Sequence, residues 1–417
     1  MDKTLLKQYA NMAVNIGINI QKGQTLIIRA PITGAEFARE CAVCAYDSGA
    51  RDVVIDYNDE KFRRIRMDRA AKEALCDIKP SFQNSRLEYV QSQGTAAFLS
   101  IISEDPEIYK GLDMEKIDAA AAAQSKALTE FRDYTMNSRV QWCVVAIPSE
   151  GWAAKVFPQL SVSDGVEKLW ETIFKVSRVA GNAKANWKKY TDAQWARREK
   201  LNEYGLTEIH MTSKNGTDLV VGLAEDCVWG GGKDFTTGGR PYTKEGVEFI
   251  ANMPTEEIFT APHKDRVNGV VYGTKPYVYN GNLIKDFVVT FKDGKVVDFD
   301  AKSGKELLGQ LLKTDEGAMH IGEIALVPAS SPINVENVLF YNTLFDENAA
   351  CHIAFGAAYP DTVKGGSELN RDELSAKGVN YSLIHEDVMV GAQDTNITGK
   401  TKTGQTVEIF RNGEWMF

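Results

Sequence analysis

From the start of the chain to about residue 158, short apolar runs alternate with stretches of helical spacing. The runs TLIIRA at 25–30, DVVIDY at 52–57, AAFLSII at 96–102 and VQWCVVAI at 140–147 are nearly continuous in apolar residues. That pattern marks strands buried on both faces. Residues 34–47 and 114–134 between them have helical spacing, so this half is predicted to be a parallel sheet covered by helices. The first run leads into APITGAEFA, with neither a GxGxxG nor a Walker-type glycine loop. A nucleotide site is therefore not expected; Pro31 ends the strand and Thr33 caps the next helix.

Residues 166–204 are predicted to be helical, with Trp187, Tyr190 and Trp195 interleaved among basic residues. Acidic neighbours dilute that charge, so the aromatic stripe reads as a face packed on a neighbouring domain rather than a base-stacking surface. After Gly205 the texture becomes strands punctuated by Asn215-Gly216, Asn268-Gly269, Asn280-Gly281, Asp293-Gly294 and Asn412-Gly413. These dipeptides accept positive φ and signal hairpins. Residues 305–313 read as a helix, and the cluster Gly230, Gly231, Gly232, Gly238 and Gly239 reads as a mobile loop. The expected architecture is an α/β N-terminal domain, residues 1–195, with a mainly parallel sheet. An α+β, mostly antiparallel C-terminal catalytic domain, residues 196–417, follows it, with the boundary near 180–205.

Composition narrows the function. A chain of 417 residues with 43% hydrophobic and 25% charged positions is globular and large enough for two cores. A net charge of −9 disfavours nucleic acid and anionic membranes as partners. No run is long enough to span a bilayer and no basic start leads into an apolar leader, so a soluble cytoplasmic protein is expected. Cys41, Cys44, Cys76, Cys143, Cys227 and Cys351 are scattered and read as thiols rather than a disulfide framework. Cys41 and Cys44 form a CxxC inside a helical stretch, without the second pair that a zinc site needs.

The chemistry lies in the last 165 or so residues, in ANMPTEEIFTAPH at 251–263, HIGEIALVP at 320–328, NAACHIAFGAAYP at 348–360 and IHEDVMVG at 384–391. His385 and Asp387, two apart on an extended segment, project from one face and could share an ion. Glu323 enters an apolar stretch where an unpaired charge is expensive. Glu256 and Glu257 are adjacent, so only one should reach a given metal. Glu347 and His352 flank NAAC, and Tyr359 follows seven residues after the histidine. Taken singly, each of these is commonly a surface group or a satisfied core residue, and Tyr359 an ordinary buried tyrosine. His210 and His320 look incidental, whereas His263 is a candidate to line the pocket.

The segments MPTEEIFTAPH, GEIALVP, ENAACHIAFGAAYP and HEDVMVGAQDTNITG, with the closing IFRNGEW, resemble the aminopeptidase T, aminopeptidase S and PepS family of dinuclear metallopeptidases. The resemblance runs through the whole chain. It implies that Glu257, Glu323, Glu347, His352, His385 and Asp387 fall on metal-ligand positions and Tyr359 on a catalytic tyrosine, and it implies a homodimer. Glu323 matches the shared ligand, and Glu256 is a candidate general base.

The expected reaction is removal of N-terminal residues from peptides, with broad specificity, by a hydroxide generated between two divalent ions (zinc, cobalt, manganese or magnesium). Four carboxylates would balance the charge of two such ions and leave both imidazoles neutral. A substrate with a free N-terminus is the expected partner. The competing readings are a dinuclear amidohydrolase or deacylase, and a metal- or peptide-binding protein without turnover.

Overall fold

The computed structural model describes residues 1–91, 96–237, 246–279 and 282–417. They form two compact units, one of residues 1–188 and 233–254, the other of residues 189–232 and 255–417.

In the first unit, the strands Thr25–Pro31, Asp52–Asn58, Ala96–Ile102 and Trp142–Ala146 form where the apolar runs lie. They stand in the order second, first, third, fourth, and the short strand Asn252–Met253 extends the sheet beyond the fourth. Every neighbouring pair is parallel. Leu26, Ile28, Ala30, Leu99 and Val145 are buried, as continuous apolar strands between helical layers require, but Asp52–Asn58, expected to be buried, stands at the sheet edge and has no buried residue.

Three local expectations need correction. Residues 114–134 hold two helices, Met114–Ala127 and Thr129–Met136. At the join the Thr129 hydroxyl donates to the Lys126 carbonyl at 2.9 Å, a local bond that competes with the helical ladder. Residues 166–204 likewise divide into Val162–Val176 and Ala183–Tyr204, because Arg178 and Gly181 take positive φ of 56° and 75°. Thr33 caps nothing: it sits inside a 3-10 turn, Ile32–Gly34, after Pro31 has closed the strand, and Gly34 occupies the cap of Ala35–Asp47. Trp187 is fully buried and donates its indole N–H to the Ser177 carbonyl at 2.9 Å.

The second unit is mostly antiparallel, so the expected fold class holds. Among the described residues it contains a nine-stranded sheet and a four-stranded sheet. Asn215-Gly216, Asp293-Gly294 and Asn412-Gly413 join antiparallel neighbours as the sequence predicts. Asn268-Gly269 does not: it lies within the strand Pro262–Tyr272. Gly269 is at φ 118°, and a Cβ there would fall 2.1 Å from the Asp218 carbonyl oxygen, so close backbone approach explains this glycine. Asn280-Gly281, Gly238 and Gly239 lie outside the described residues. The helix expected at 305–313 spans Lys305–Leu311.

The Gly230–Gly231 stretch is pinned rather than loose. Gly230 and Phe259 exchange backbone hydrogen bonds of 2.8 and 3.2 Å, and a Cβ on Gly231 would meet the Glu257 carbonyl oxygen at 2.4 Å. Among the described residues no helix is long and apolar enough to cross a membrane.

Candidate metal centre

The four-stranded sheet positions the donors. Its order is Ile258–Thr260, Ile321–Leu326, His352–Gly356, His385–Met389, with antiparallel neighbours throughout. Ala354 pairs with Glu323 on one side and Asp387 on the other; Gly356 pairs with His385, and His352 pairs with Ala325 and Met389. Directly paired residues share a face and alternate residues return to it. Glu323, His352, His385 and Asp387 therefore rise from one face, with the small Ala354 between them. A register irregularity between Ile321 and Glu323 admits Gly322 as an extra residue and helps to aim Glu323 at this face.

The distances show how closely the groups converge. His352 Nε2 is 3.2 Å from Glu257 Oε2, 3.5 Å from Glu323 Oε1 and 3.9 Å from Asp387 Oδ1. His385 Nε2 is 3.6 Å from Glu323 Oε2 and 3.5 Å from Asp387 Oδ1. One donor atom each of Glu257, Glu323 and His352 lies within 4.8 Å of the others. The imidazoles are aimed by their outer nitrogens: His352 Nδ1 lies 3.2 Å from the Ala350 carbonyl and His385 Nδ1 lies 2.7 Å from that of Ala357. A backbone carbonyl behind each ring leaves Nε2 for the cluster, the arrangement of imidazoles that bind metal.

Glu347 and Tyr359 border this group. Glu347 lines, with Asp387, a cavity of about 90 Å³, and its Oε1 accepts from Asn348 Nδ2 at 3.3 Å. The Tyr359 ring lies 4.8 Å from the His385 ring and 6.0 Å from Phe259. Glu256 has a separate partner, since its Oε2 accepts from the Tyr190 hydroxyl at 3.0 Å while Glu257 meets His352. His263 packs its ring against Gly378 and accepts from the Asp265 N–H at 3.2 Å.

So many charges out of water shift one another. Burial raises the Glu323 carboxyl to about 7 against the opposing pull of His352 and His385. Burial, then Glu257 and Asp387, drives Glu347 well above the carboxylate range. The imidazoles move up although burial opposes it: Asp387 and Glu323 bring His385 to about 10, and Glu257 and Glu323 hold His352 well above its ordinary value. Asp387 moves down despite burial, through His385 and His352.

The donor set fits divalent cations. His352 Nε2 and Asp387 Oδ1 are buried and make no hydrogen bond despite their charged neighbours, which is costly unless another partner completes them. The glutamates and aspartate are hard oxygen donors and the histidines borderline nitrogen donors, a mixture suited to zinc, cobalt or manganese.

Two supporting residues escape a sequence reading. Asn348 is fully buried; its Oδ1 accepts from the Glu256 N–H at 2.6 Å and its Nδ2 serves Glu347, so one amide ties two donor segments together. Its place beside Glu347 in ENAACH was the available signal. Ala354 is visible only once strand register is known.

The chain is 43% identical to Aminopeptidase 2 of Geobacillus stearothermophilus over 99% of its own length and 98% of that protein's. It is 41% identical to Aminopeptidase AmpS of Bacillus subtilis (strain 168), with the same coverage. The structure of wild-type AmpT from Thermus thermophilus superposes with a TM-score of 0.91 at 36% identity, covering 100% of both chains. The family model described as Thermophilic metalloprotease (M29) matches residues 2–415, and with relatives of this similarity along nearly the whole length, the chain belongs to that family.

Proposed function

We propose that this metal-dependent aminopeptidase holds two divalent ions among Glu257, Glu323, Glu347, His352, His385 and Asp387, and releases the first residue of peptides with a free N-terminus. The carrying observation is the convergence of His352, His385, Glu323 and Asp387 on one sheet face, with His352 Nε2 and Asp387 Oδ1 buried and outside any hydrogen bond. Glu323 is the shared ligand in this reading. Its two oxygens face different imidazoles, Oε1 that of His352 and Oε2 that of His385, as a carboxylate serving two centres requires.

When bound, such ions acidify a water and polarise the scissile carbonyl. The chain's own groups do the rest. Tyr359, whose hydroxyl burial and the nearby carboxylates keep protonated, donates to the oxygen that gains charge as the carbonyl becomes tetrahedral. Glu256, buried and held by Tyr190, carries the proton from water to the departing amine. The free α-amino group would meet one ion or a spare carboxylate, which confines cleavage to the chain end.

Zinc, cobalt, manganese and magnesium all suit the donors, and availability selects among them. The six free cysteines accord with a reducing, cytoplasmic setting, and a homodimer completes the proposal through the family resemblance. Hydrolysis of a leucine-first peptide and its N-acetylated twin tests the reading, with protein stripped by chelator and then resupplied with each metal. Metal-restored cleavage of the free peptide alone is expected. Cleavage of the blocked twin as well would mean a broader amidohydrolase, and no cleavage with any metal would leave only a binding protein.

A further inference from the structure

Two loops lead into donor strands. TDEG at 314–317 turns toward Ile321–Leu326, which carries Glu323, and GVNYSLI at 378–384 runs into His385–Met389. His385 is the first residue of its strand, so its place depends on how the loop before it is tied down.

Asp315 ties the two loops together. One of its carboxylate oxygens accepts from the Ser382 hydroxyl at 2.7 Å and from the Ala318 N–H at 2.9 Å, and the other accepts from the Leu383 N–H at 2.6 Å. Hydrogen bonds to an ionised carboxylate are about twice as strong as those between neutral groups.

Asn380 makes a second tie. It is buried, and its amide nitrogen donates to the Gly317 and Gly356 carbonyls at 2.8 and 2.6 Å. Its backbone carbonyl accepts from the Ala358 N–H at 3.0 Å. Beside it, the Ala357 N–H donates to the Ile384 carbonyl at 2.7 Å, and the Ala357 carbonyl in turn faces His385 Nδ1. A Cβ on Gly317 would collide with the Tyr381 carbonyl oxygen, and one on Gly356 with that of Ile384, so these segments meet at backbone distance. The register of residues 380–384 against 356–358 therefore sets where the His385 ring stands.

We propose that Asp315 and Asn380 are positioning residues of the metal centre. Their hydrogen bonds hold the segment before His385 against the ends of the two neighbouring strands, and so keep its Nε2 turned toward Glu323 and Asp387. The inference rests on the reading of His385 as a metal ligand. Both residues act through the Ala357 carbonyl and the loop backbone, one step behind the ring.

The test uses the full chain, stripped by chelator and loaded with cobalt, whose visible absorption reports coordination geometry. Asp315→Asn leaves a single oxygen, which cannot accept at both ends, and Ser382→Ala removes one of the bonds to that carboxylate. His385→Ala serves as the reference for loss of the ligand itself. Asp315→Asn should stay folded by circular dichroism, hold cobalt about tenfold more weakly against a competing chelator, and show an altered cobalt spectrum. Ser382→Ala should fall between it and wild type. A lowered melting temperature with wild-type cobalt affinity and spectrum would overturn the proposal, since the tie would then support only the fold. If Asp315→Asn does not fold, Ser382→Ala decides by the same two readouts. Wild-type cobalt binding in His385→Ala would instead end the reading of His385 as a ligand, and the inference with it.

Discussion

His385 is fastened to Ala357: its Nδ1 lies 2.7 Å from the backbone carbonyl, and this turns Nε2 to within 3.6 Å of Glu323 and 3.5 Å of Asp387. A ring nitrogen facing a carbonyl oxygen carries the proton, so the neutral ring presents a lone pair to the cluster. Without an ion, that position holds a second proton instead, because Asp387 and Glu323 raise the ring's pKa to about 10 against the effect of burial.

Metal uptake should therefore release protons, and the stabilisation it brings should grow with pH. The signs follow from two groups. The raised His385 pKa contributes stability to the stripped protein below its ordinary 6.5, lost as pH rises through about 10. Burial favours protonated Glu323, so its contribution is present below its ordinary 4.5 and lost as pH rises through about 7. Both groups weaken the stripped protein as pH rises, while the loaded form requires them deprotonated. Melting temperatures with and without manganese, at about pH 6 and about pH 9, should diverge; a gap that narrows with pH would contradict the donor assignment.

Glu323→Gln tests the shared ligand. The amide keeps the size of a carboxyl that burial already tends to protonate, so the stripped variant should unfold close to stripped wild type. What it should lose is the gain on adding metal, which for wild type is about 2.7 kcal/mol at a hundredfold excess over Kd. Elemental analysis should find the variant depleted in metal, with peptide turnover gone. Normal turnover would show that no ion depends on this oxygen pair.

Ala354 offers a test of the sheet register itself. It is fully buried between Glu323 and Asp387, so Ala354→Leu adds three carbons to the floor of the cluster. Overpacking of this kind costs about 1–3 kcal/mol, and here it should also separate the donors and abolish metal binding. Ala354→Gly, which loses only a methyl group, should still bind. Full metal content in the leucine variant would mean that Ala354 does not face the donors.

Much of this arrangement was legible in the sequence because the informative signals were local. Continuous apolar runs gave the parallel strands, and the two-residue spacing of His385 and Asp387 gave a shared face. Glu323 stood out as a charge inside an apolar strand. The features that stayed hidden depend on partners distant in the chain. Asn348 acts through the Glu256 backbone, Gly230 pairs with Phe259, and Asn268-Gly269 resembles a turn although the Asp218 carbonyl is what requires its glycine. The breaks near Leu128 and Arg178 also eluded periodicity, since one hydroxyl or a few positive φ values end a helix whose pattern would have continued.

Tyr359→Phe separates chemistry from packing. The tyrosine ring lies against His385 and Phe259 at 4.8 and 6.0 Å, and phenylalanine preserves both contacts. Burial, then Glu323 and Asp387, pushes the hydroxyl well above its ordinary pKa, so in the proposed mechanism it would serve as a donor and not as a base. Removing that donor should lower kcat by about 10²- to 10³-fold while leaving KM and metal content near wild type, because it stabilises charge that exists only in the transition state. A purely structural tyrosine would give the reverse pattern, a shifted melting temperature with kcat retained, and that result would move the search for an oxyanion donor to another residue at the cluster's edge.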